Sequence, residues 1–263
     1  MHGVVDELAG DRGFAVTGRL APEAVAGLLE LFASIHVASS PAMHRTFADE
    51  SRETARAIDA GIKALVADAL GALLPDHQQV LATFISKGPG GDRLDFHQDW
   101  TFCDEREHRT VQTWIPLVDA DAGNGSLALA PGTHRWTDGI RTSTTPDVRP
   151  GPTDDFQSDF EAMADTPSLA AGSLLMYDAA IVHGSGPNLS DQARPAVVIA
   201  SIPKAAQPLH FCETIERYCG FAVDAAYFTD QPFESVPVGY PEVEPWTAPV
   251  QPADFARRLG PAA

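Results

Sequence analysis

The chain has 263 residues, of which 44% are hydrophobic and 21% are charged, a composition that suffices for a globular core. Its net charge of −18 comes from 36 acidic and 18 basic side chains, and so acidic a surface repels nucleic-acid phosphates and anionic lipid headgroups. Nucleic-acid binding and membrane-surface binding are therefore disfavoured.

The first part of the chain predicts one strand and two amphipathic helices. Residues 13–20 alternate enough for a short strand. Pro22 then opens a helix, because proline suits a first helical turn, and the apolar stripe of this helix reaches about Val37. A second helix is predicted over about 51–74 and ends at Pro75. Its predicted apolar face consists of Ala55, Ile58, Ile62, Leu65, Val66 and Leu70.

From Gln79 onward the sequence favours short strands, separated by glycine and proline. The predicted strands are residues 80–86, 110–118, 127–130, 173–177, 180–183 and 196–202. Such spacing is typical of a sandwich or jelly roll. We predict one mainly β domain over residues 1–263, with helices over about 21–74 packed outside a sheet of the core, which spans about 79–203.

Two segments do not fit this strand pattern. Residues 137–168 are rich in Thr, Pro, Asp and Gly, and an insertion of about 30 such residues in a compact domain is typical of a lid or mobile loop. The extension over about 204–263 becomes proline-rich after Gln231, and we expect that part to wrap the surface.

Cysteine usage and hydropathy indicate the compartment. The three cysteines form no CxxC pair, which disfavours a disulfide framework and a structural zinc site. No apolar run approaches the ~18 residues of a membrane span, and the first ten residues do not resemble a signal peptide. We expect a cytoplasmic protein and make no prediction of its oligomeric state.

Residues 97–99 read His-Gln-Asp, and His183 follows 84 residues later. In an extended segment, positions two apart point to the same face, so His97 and Asp99 can bind one metal ion. His183 follows an apolar run at 180–182, and we expect it on a second strand across the barrel. Two imidazoles and one carboxylate form the facial set that binds Fe(II) and leaves positions open, although Mn, Co, Ni or Zn also suit these donors.

Arg194 follows His183 by eleven residues. We expect the intervening chain to form a hairpin that returns Arg194 to the side of the ligand strand. A guanidinium binds a carboxylate through two parallel hydrogen bonds, so this residue favours a dicarboxylic co-substrate whose other end chelates the metal. Ser185 could add a hydroxyl donor to the same carboxylate.

Three stretches of the chain resemble the phytanoyl-CoA dioxygenase family of Fe(II)/2-oxoglutarate oxygenases. They are FHQDW at 96–100, TWIPLVDADAGNGSLALAPGTHR at 113–135 and HGSGPNLSDQAR at 183–194, and the resemblance covers roughly residues 10–203. It implies a double-stranded β-helix core, iron binding by His97, Asp99 and His183, and binding of the distal carboxylate of 2-oxoglutarate by Arg194 and Ser185.

Further residues are candidates for the same site. The resemblance places Trp114 near the co-substrate, although core packing is equally typical of a tryptophan there. Strand parity puts Gln112 on the same face. Trp100 and Phe102 follow the ligands where a substrate would pass, unless they belong to the core. Lys87 precedes a glycine turn and could meet an anionic substrate or the co-substrate.

The function implied is hydroxylation of a small or mid-sized metabolite of specialised metabolism, with Fe(II), 2-oxoglutarate and O₂ consumed to give succinate and CO₂. Related halogenases lack a carboxylate at the position of Asp99, so halogenation is disfavoured. Desaturation, cyclisation and epimerisation stay open. The alternatives from other classes are a cupin-like metalloenzyme that does not use 2-oxoglutarate and an inactive relative that serves as a binding module.

Overall fold

The computed structural model describes residues 3–35, 43–144, 151–214, 216–232 and 235–260. The helices of this part are α1 (Val4–Leu8), α2 (Pro22–Ala33), α3 (Thr46–Asp49), α4 (Arg52–Leu73), α5 (Gln157–Met163), α6 (Tyr227–Asp230) and α7 (Pro252–Leu259). The strands are β1 (Phe14–Arg19), β2 (Met43–Arg45), β3 (His77–Lys87), β4 (Leu94–His97), β5 (Val111–Pro116), β6 (Leu127–Leu129), β7 (Ser143–Thr144), β8 (Ser173–Asp178), β9 (His183–Ser185), β10 (Arg194–Pro203), β11 (Leu209–Glu213), β12 (Tyr218–Ala222) and β13 (Glu242–Val243).

Two antiparallel sheets build the jelly-roll core that the sequence predicted. The larger sheet has six strands in the order β1-β8-β5-β10-β3-β2, and the smaller sheet has three in the order β4-β9-β6. A buried apolar cluster joins them, with Phe14 and Leu175 from the larger sheet and Leu127 and Leu129 from the smaller. The interior between these sheets is where the candidate site lies.

The long helices pack on the other face of the larger sheet, as expected. Ser51 caps the amino end of α4, because its hydroxyl accepts a hydrogen bond from the Thr54 backbone N–H at 3.1 Å. Ile62 and Val66 of α4 are fully buried in one cluster with Phe84 of β3. Helix and sheet therefore share a core in which α4 covers β3.

Two details of the helices differ from the sequence prediction. Leu65 was placed on the apolar face of α4, but 36% of it is exposed. It lies at the edge of the face, where a Cβ on Gly27 of α2 would meet its Cδ2 at 2.8 Å. Helix α2 ends at Ala33, earlier than expected, and Val37 lies outside the described residues.

Strand parity on β5 holds as predicted. Val111 and Ile115 belong to the core beneath the helices, whereas Trp114 belongs to the core between the sheets. Gln112 lines a cavity on that same inner side. Consecutive side chains of a strand point to opposite faces, and β5 therefore presents Gln112 and Trp114 to the interior.

The strand predicted over residues 180–183 is wrong in its first three positions. The chain turns there, with the Ile181 N–H donating to the Asp178 carbonyl at 2.9 Å and the Ala180 N–H to the Asp178 carboxylate at 2.8 Å. Ile181 and Val182 are fully buried. These residues are apolar because the turn that contains them is buried. Strand β9 begins only at His183.

The segment expected to be a lid contains helix α5. Phe160 of α5 is fully buried and packs edge-on against Phe255 of α7, with ring centroids 5.4 Å apart. The Thr153 hydroxyl donates to the Phe96 carbonyl at 2.7 Å. Residues 151–168 are thus tied to the core beside β4, while residues 145–150 lie outside the described part. A lid role for the segment stays a prediction.

The C-terminal extension does more than wrap the surface. Strands β11 and β12 pair antiparallel within a four-stranded sheet in the order β13-β12-β11-β7. Phe211 and Phe228 are buried, and so is Phe255 in the proline-rich part that we expected on the surface. Cys103, Cys212 and Cys219 are buried free thiols. No helix in the described ranges is long and apolar enough to cross a membrane.

Candidate active site

The predicted metal ligands meet at the edge of the smaller sheet. His97 ends β4 and His183 begins β9, and the two are direct partners across the antiparallel ladder. His183 therefore lies on the neighbouring strand, and its expected position across the barrel is wrong. One ligand atom from each of His97, Asp99 and His183 lies within 4.8 Å of the others, so a single ion can contact all three.

Backbone carbonyls fix both imidazoles in the orientation that a metal needs. His97 Nδ1 lies 2.8 Å from the Asp95 carbonyl oxygen, and His183 Nδ1 lies 3.0 Å from that of Ile181. A carbonyl only accepts, so each Nδ1 donates its proton there and Nε2 is the nitrogen that is left to bind a metal. Burial, followed by the neighbouring His183, lowers the pKa of His97 to about 4. The imidazole is therefore neutral at pH 7, as a metal ligand must be.

Asp99 is held by side chains that sequence analysis missed. The Tyr177 hydroxyl donates to Asp99 Oδ2 at 3.3 Å, and Arg141 Nε donates to the Asp99 carbonyl at 2.7 Å. Two further nitrogens of Arg141 contact the Glu105 carboxylate at 2.7 and 2.5 Å. Tyr177 could have been found by parity within the predicted strand 173–177. Arg141 lies in the irregular segment after 137, where no sequence signal marks it.

The two imidazole nitrogens and the carboxylate suit Fe(II), which accepts mixed nitrogen and oxygen donors from this facial set. Asp99 Oδ2 lies 3.7 Å from His183 Nε2, close enough for both atoms to contact one ion. The residues present therefore fit the metal that the sequence predicted.

A small cavity of about 60 Å³ extends from these ligands into the core and is lined by Trp114, Ser185 and Arg194. Arg194 is 3% exposed, and its guanidinium carbon lies 5.4 Å from the Trp114 ring centroid. The chain between His183 and Arg194 crosses from the smaller to the larger sheet, so the expected hairpin beside the ligand strand is wrong. The two residues nevertheless line the same cavity.

Arg194 lacks an internal counter-charge. Its Nε and Nη1 are buried and have no hydrogen-bond partner, and no carboxylate in the described ranges forms an ion pair with it. Burial lowers the pKa of Arg194 to about 10, which leaves it charged at pH 7. A buried, unpaired cation is costly, so the cavity is built to receive an anion.

A larger cavity of about 340 Å³ lies on the other side of the ligands and is lined by Trp100, Phe102 and Gln112 among others. Gln112, which we expected beside the co-substrate, lies here instead and is 3% exposed. Its Oε1 has no hydrogen-bond partner. Trp100 is half-buried. Phe102 lines this cavity and also belongs to the buried core, since its ring centroid lies 5.2 Å from that of Phe228.

Lys87 lies at the co-substrate end. It is fully buried at the end of β3, and its Nζ donates to Ser185 Oγ at 2.7 Å and to the Gly186 carbonyl at 2.5 Å. Lys87 itself lines neither cavity, but its hydrogen-bond partner Ser185 lines the small one. Of the two contacts that the sequence suggested for this lysine, the arrangement favours the co-substrate over an anionic substrate.

Comparison with known proteins gives a family match and a shared fold. The family model described as phytanoyl-CoA dioxygenase matches residues 11–196. A phytanoyl-CoA dioxygenase domain-containing protein 1 homolog from Dictyostelium discoideum is 33% identical over 119 residues, which are 41% of this chain and 40% of that protein. The chain thus matches only about two fifths of the length of this relative.

Two solved structures share the fold. EvdO2 from Micromonospora carbonacea var. aurantiaca, complexed with 2-oxoglutarate, is 22% identical, with a TM-score of 0.53 over 77% of this chain and 90% of that one. The carbocyclase SnoK from nogalamycin biosynthesis, described as non-heme and alpha-ketoglutarate-dependent, is 16% identical, with a TM-score of 0.54 over 89% of this chain and 93% of that one.

Proposed function

Because the chain belongs to the phytanoyl-CoA dioxygenase family, we propose that it is an oxygenase that uses Fe(II), 2-oxoglutarate and O₂ to hydroxylate a small or mid-sized metabolite. The observation that carries this proposal is the unpaired guanidinium of Arg194, buried at the end of a cavity that begins at His97, Asp99 and His183. A keto-diacid has the two ends that such a cavity requires.

The polar residues and the tryptophan of the small cavity have distinct proposed roles. His97, Asp99 and His183 would hold the iron, while Arg194 binds the distal carboxylate of 2-oxoglutarate with paired hydrogen bonds. Ser185 donates its hydroxyl to the same carboxylate. Trp114 forms an apolar wall beside the guanidinium and excludes water from the charged contact, which strengthens it. The 2-oxo acid end is thereby directed toward the ligands.

When bound, ferrous iron supplies the activation of O₂ that couples decarboxylation of 2-oxoglutarate to oxidation of the substrate. The protein contributes orientation and a shielded pocket. Tyr177 and Arg141 keep Asp99 in place by hydrogen bonds to its carboxylate and to its carbonyl. Such supporting contacts are worth about 10–100-fold in metal affinity or activity.

The larger cavity is the proposed substrate site, since it shares His97 and Asp99 with the small cavity. Its aromatic and aliphatic walls favour a mainly apolar substrate. The unpartnered amide oxygen of Gln112 favours a substrate that carries a hydroxyl or N–H donor at that depth. We propose that this substrate is a metabolite of specialised metabolism and that the protein acts in the cytoplasm.

Hydroxylation is the proposed outcome because the carboxylate of Asp99 takes the position that halogenases of this kind leave free. Desaturation, cyclisation and epimerisation begin with the same removal of a substrate hydrogen, so product analysis must separate them. SnoK, which shares this fold, is described as a carbocyclase. A product that gains one oxygen atom from O₂ would support hydroxylation. A product that has lost two hydrogens would indicate desaturation or cyclisation instead, and an isomer of the substrate would indicate epimerisation.

The proposal is tested in two steps. An anaerobic titration of the protein with Fe(II) and 2-oxoglutarate should produce the weak visible charge-transfer absorption of their complex, and no absorption would contradict the proposal. A screen of metabolite classes for succinate formation then identifies the substrate. Oxidation of a substrate without succinate would favour a cupin-like metalloenzyme, and binding without turnover of any kind would favour an inactive relative.

A further inference from the structure

We propose that Lys87 is a positioning residue that turns the Ser185 hydroxyl into a hydrogen-bond donor for the distal carboxylate of 2-oxoglutarate. This inference rests on the proposed function, because it presupposes that the small cavity binds the keto-diacid. The inference gives Lys87 an indirect role in co-substrate binding, through Ser185. Lys87 is not one of the predicted metal ligands.

Lys87 is placed by the sheet next to the co-substrate anchor. It ends β3 and is the direct partner of Arg194 across the ladder between β3 and β10. None of its surface is exposed. The turn at Gly125 closes over its stem, since a Cβ at that glycine would lie 3.1 Å from Lys87 Cδ. Gly125 also has a φ of +77°, a conformation that favours glycine.

The donor and acceptor inventory fixes the direction of the hydrogen bonds. An ammonium has three donors and no acceptor, so Ser185 Oγ must accept the 2.7 Å hydrogen bond from Lys87 Nζ. The carbonyl of Gly186 accepts a second bond from the same nitrogen. The hydroxyl proton of Ser185 is then left to donate elsewhere.

No described protein group accepts that proton. The contact with Lys87 is the side-chain hydrogen bond that Ser185 makes within the described ranges, yet Ser185 is 6% exposed and lines the small cavity together with Arg194. A buried hydroxyl without an acceptor is unfavourable. The proton therefore points to a ligand, and a carboxylate is the acceptor that Arg194 also requires.

Charge supports the same assignment. Arg194 lines the small cavity, and Lys87 lies behind its wall against Ser185. Both cations are buried, and no carboxylate of the described residues forms an ion pair with either. Burial, followed by repulsion from Arg194, lowers the pKa of Lys87 to about 8, while Asp92 opposes the shift. A carboxylate that takes the Ser185 proton requires Ser185 Oγ to keep accepting from the ammonium, which couples the protonation of Lys87 to occupancy of the cavity.

A double-mutant cycle tests whether Lys87 acts through Ser185. The dissociation constant of the complex with 2-oxoglutarate is measured by anaerobic calorimetry on Mn(II)-loaded protein for wild type, Lys87→Met, Ser185→Ala and the double variant. Lys87→Met and Ser185→Ala should each weaken binding about tenfold, the scale of one hydrogen bond to a charged group. In the Ser185→Ala background, Lys87→Met should change the constant by less than about twofold, because the hydroxyl that it orients is gone.

The outcomes separate this inference from the function on which it rests. If the wild type binds no 2-oxoglutarate, both are overturned. If it binds and Lys87→Met binds equally well, only the role of Lys87 is overturned. If Lys87→Met weakens binding equally in both backgrounds, the lysine acts as a direct charge and not through Ser185. Lys204→Met is the matched control, since Lys204 is exposed and its Nζ likewise donates to a backbone carbonyl, that of Pro75.

A pH series tests the same point without any change at Lys87, in case Lys87→Met does not fold. The charged groups that act on Lys87 are Arg194 from β10 and Asp92 from the turn after β3. Arg194, whose pKa is lowered to about 10 by burial, stays mostly charged up to about pH 9. As the pH rises from about pH 7 to about pH 9 the ammonium loses a proton and the resulting amine can accept from Ser185.

Affinity of the wild type for 2-oxoglutarate should therefore fall about five- to tenfold between pH 7 and pH 9. The affinity of Ser185→Ala, already weaker, should stay within about twofold over the same window, since it lacks the hydroxyl whose direction changes. A flat profile in the wild type, or an equal fall in both proteins, overturns the proposal.

Discussion

The two cavities meet at the predicted metal ligands but differ in volume and in the chemistry of their walls. The small cavity, of about 60 Å³, is lined by the buried guanidinium of Arg194 and by the buried hydroxyls of Ser185 and Tyr177. The larger cavity, of about 340 Å³, has mainly apolar walls, which include the unpartnered amide oxygens of Gln98 and Gln112. Their shared wall consists of Met43, Ile85, Leu94, His97, Asp99 and Val198.

This difference shows how the molecule divides recognition. A charged, closely fitted pocket specifies one ligand through directional bonds, because an analogue that lacks a partner leaves buried polar groups unpaired. An apolar cavity discriminates weakly, by about 1–3 kcal/mol for a methylene group. Under the proposed function, the small cavity would specify the co-substrate, whereas the larger cavity would select the substrate mostly by shape.

The largest effect is expected from a change in the wall that both cavities share. Asp99→Ala removes a metal ligand, so turnover should fall below about 1% of wild type, since even groups that only support a ligand are worth about 10–100-fold. Succinate formation is the measurement. Glu161→Ala is the control, since Glu161 is an exposed carboxylate that pairs with Arg93. Full turnover of Asp99→Ala would mean that the ligand is misassigned.

A change confined to the small cavity should affect the co-substrate alone. Arg194→Met removes two hydrogen bonds to a carboxylate, and the KM for the co-substrate should rise about 100-fold while metal affinity stays unchanged. Steady-state kinetics and a metal titration measure the two quantities. Arg217→Met, at an exposed arginine paired with Glu242, serves as the control. An unchanged KM in Arg194→Met would refute the assigned role.

A change confined to the larger cavity should give the smallest effect and the opposite pattern. Gln112→Leu should raise the KM for the identified substrate about tenfold, the scale of one unsatisfied hydrogen bond, and leave the KM for the co-substrate unchanged. Because the buried amide oxygen has no hydrogen-bond partner among the described residues, thermal stability should not fall. An altered KM for the co-substrate would instead support the original prediction that Gln112 contacts the co-substrate.

The sequence predicted those parts of the molecule that local spacing determines. The jelly-roll class, helix α4 and the proximity of His97 to Asp99 follow from periodicity and from residues close in the chain. The position of His183 beside His97 depends on which strands pair, and spacing alone does not specify that choice. Parity likewise placed Gln112 on the inner face but could not show that the interior divides into two cavities.

Features that depend on distant contacts were missed or misassigned. Arg141 reaches the Asp99 carbonyl across 42 positions in the chain, and the buried run at 181–182 has the composition of a strand although it forms a turn. Leu65 fits the helical period but lies at the edge of the helix contact. In each case a tertiary neighbour, absent from the local pattern, decides the outcome.

The imidazoles of His97 and His183 take their orientation from main-chain carbonyls, those of Asp95 and Ile181. Every residue type carries a carbonyl, so substitutions at either position leave these particular contacts available. The ligand geometry is thus insulated from changes in nearby side chains. A library that diversifies the aromatic wall at Trp100 and Phe102 can therefore search for new substrates while the oxidising centre persists.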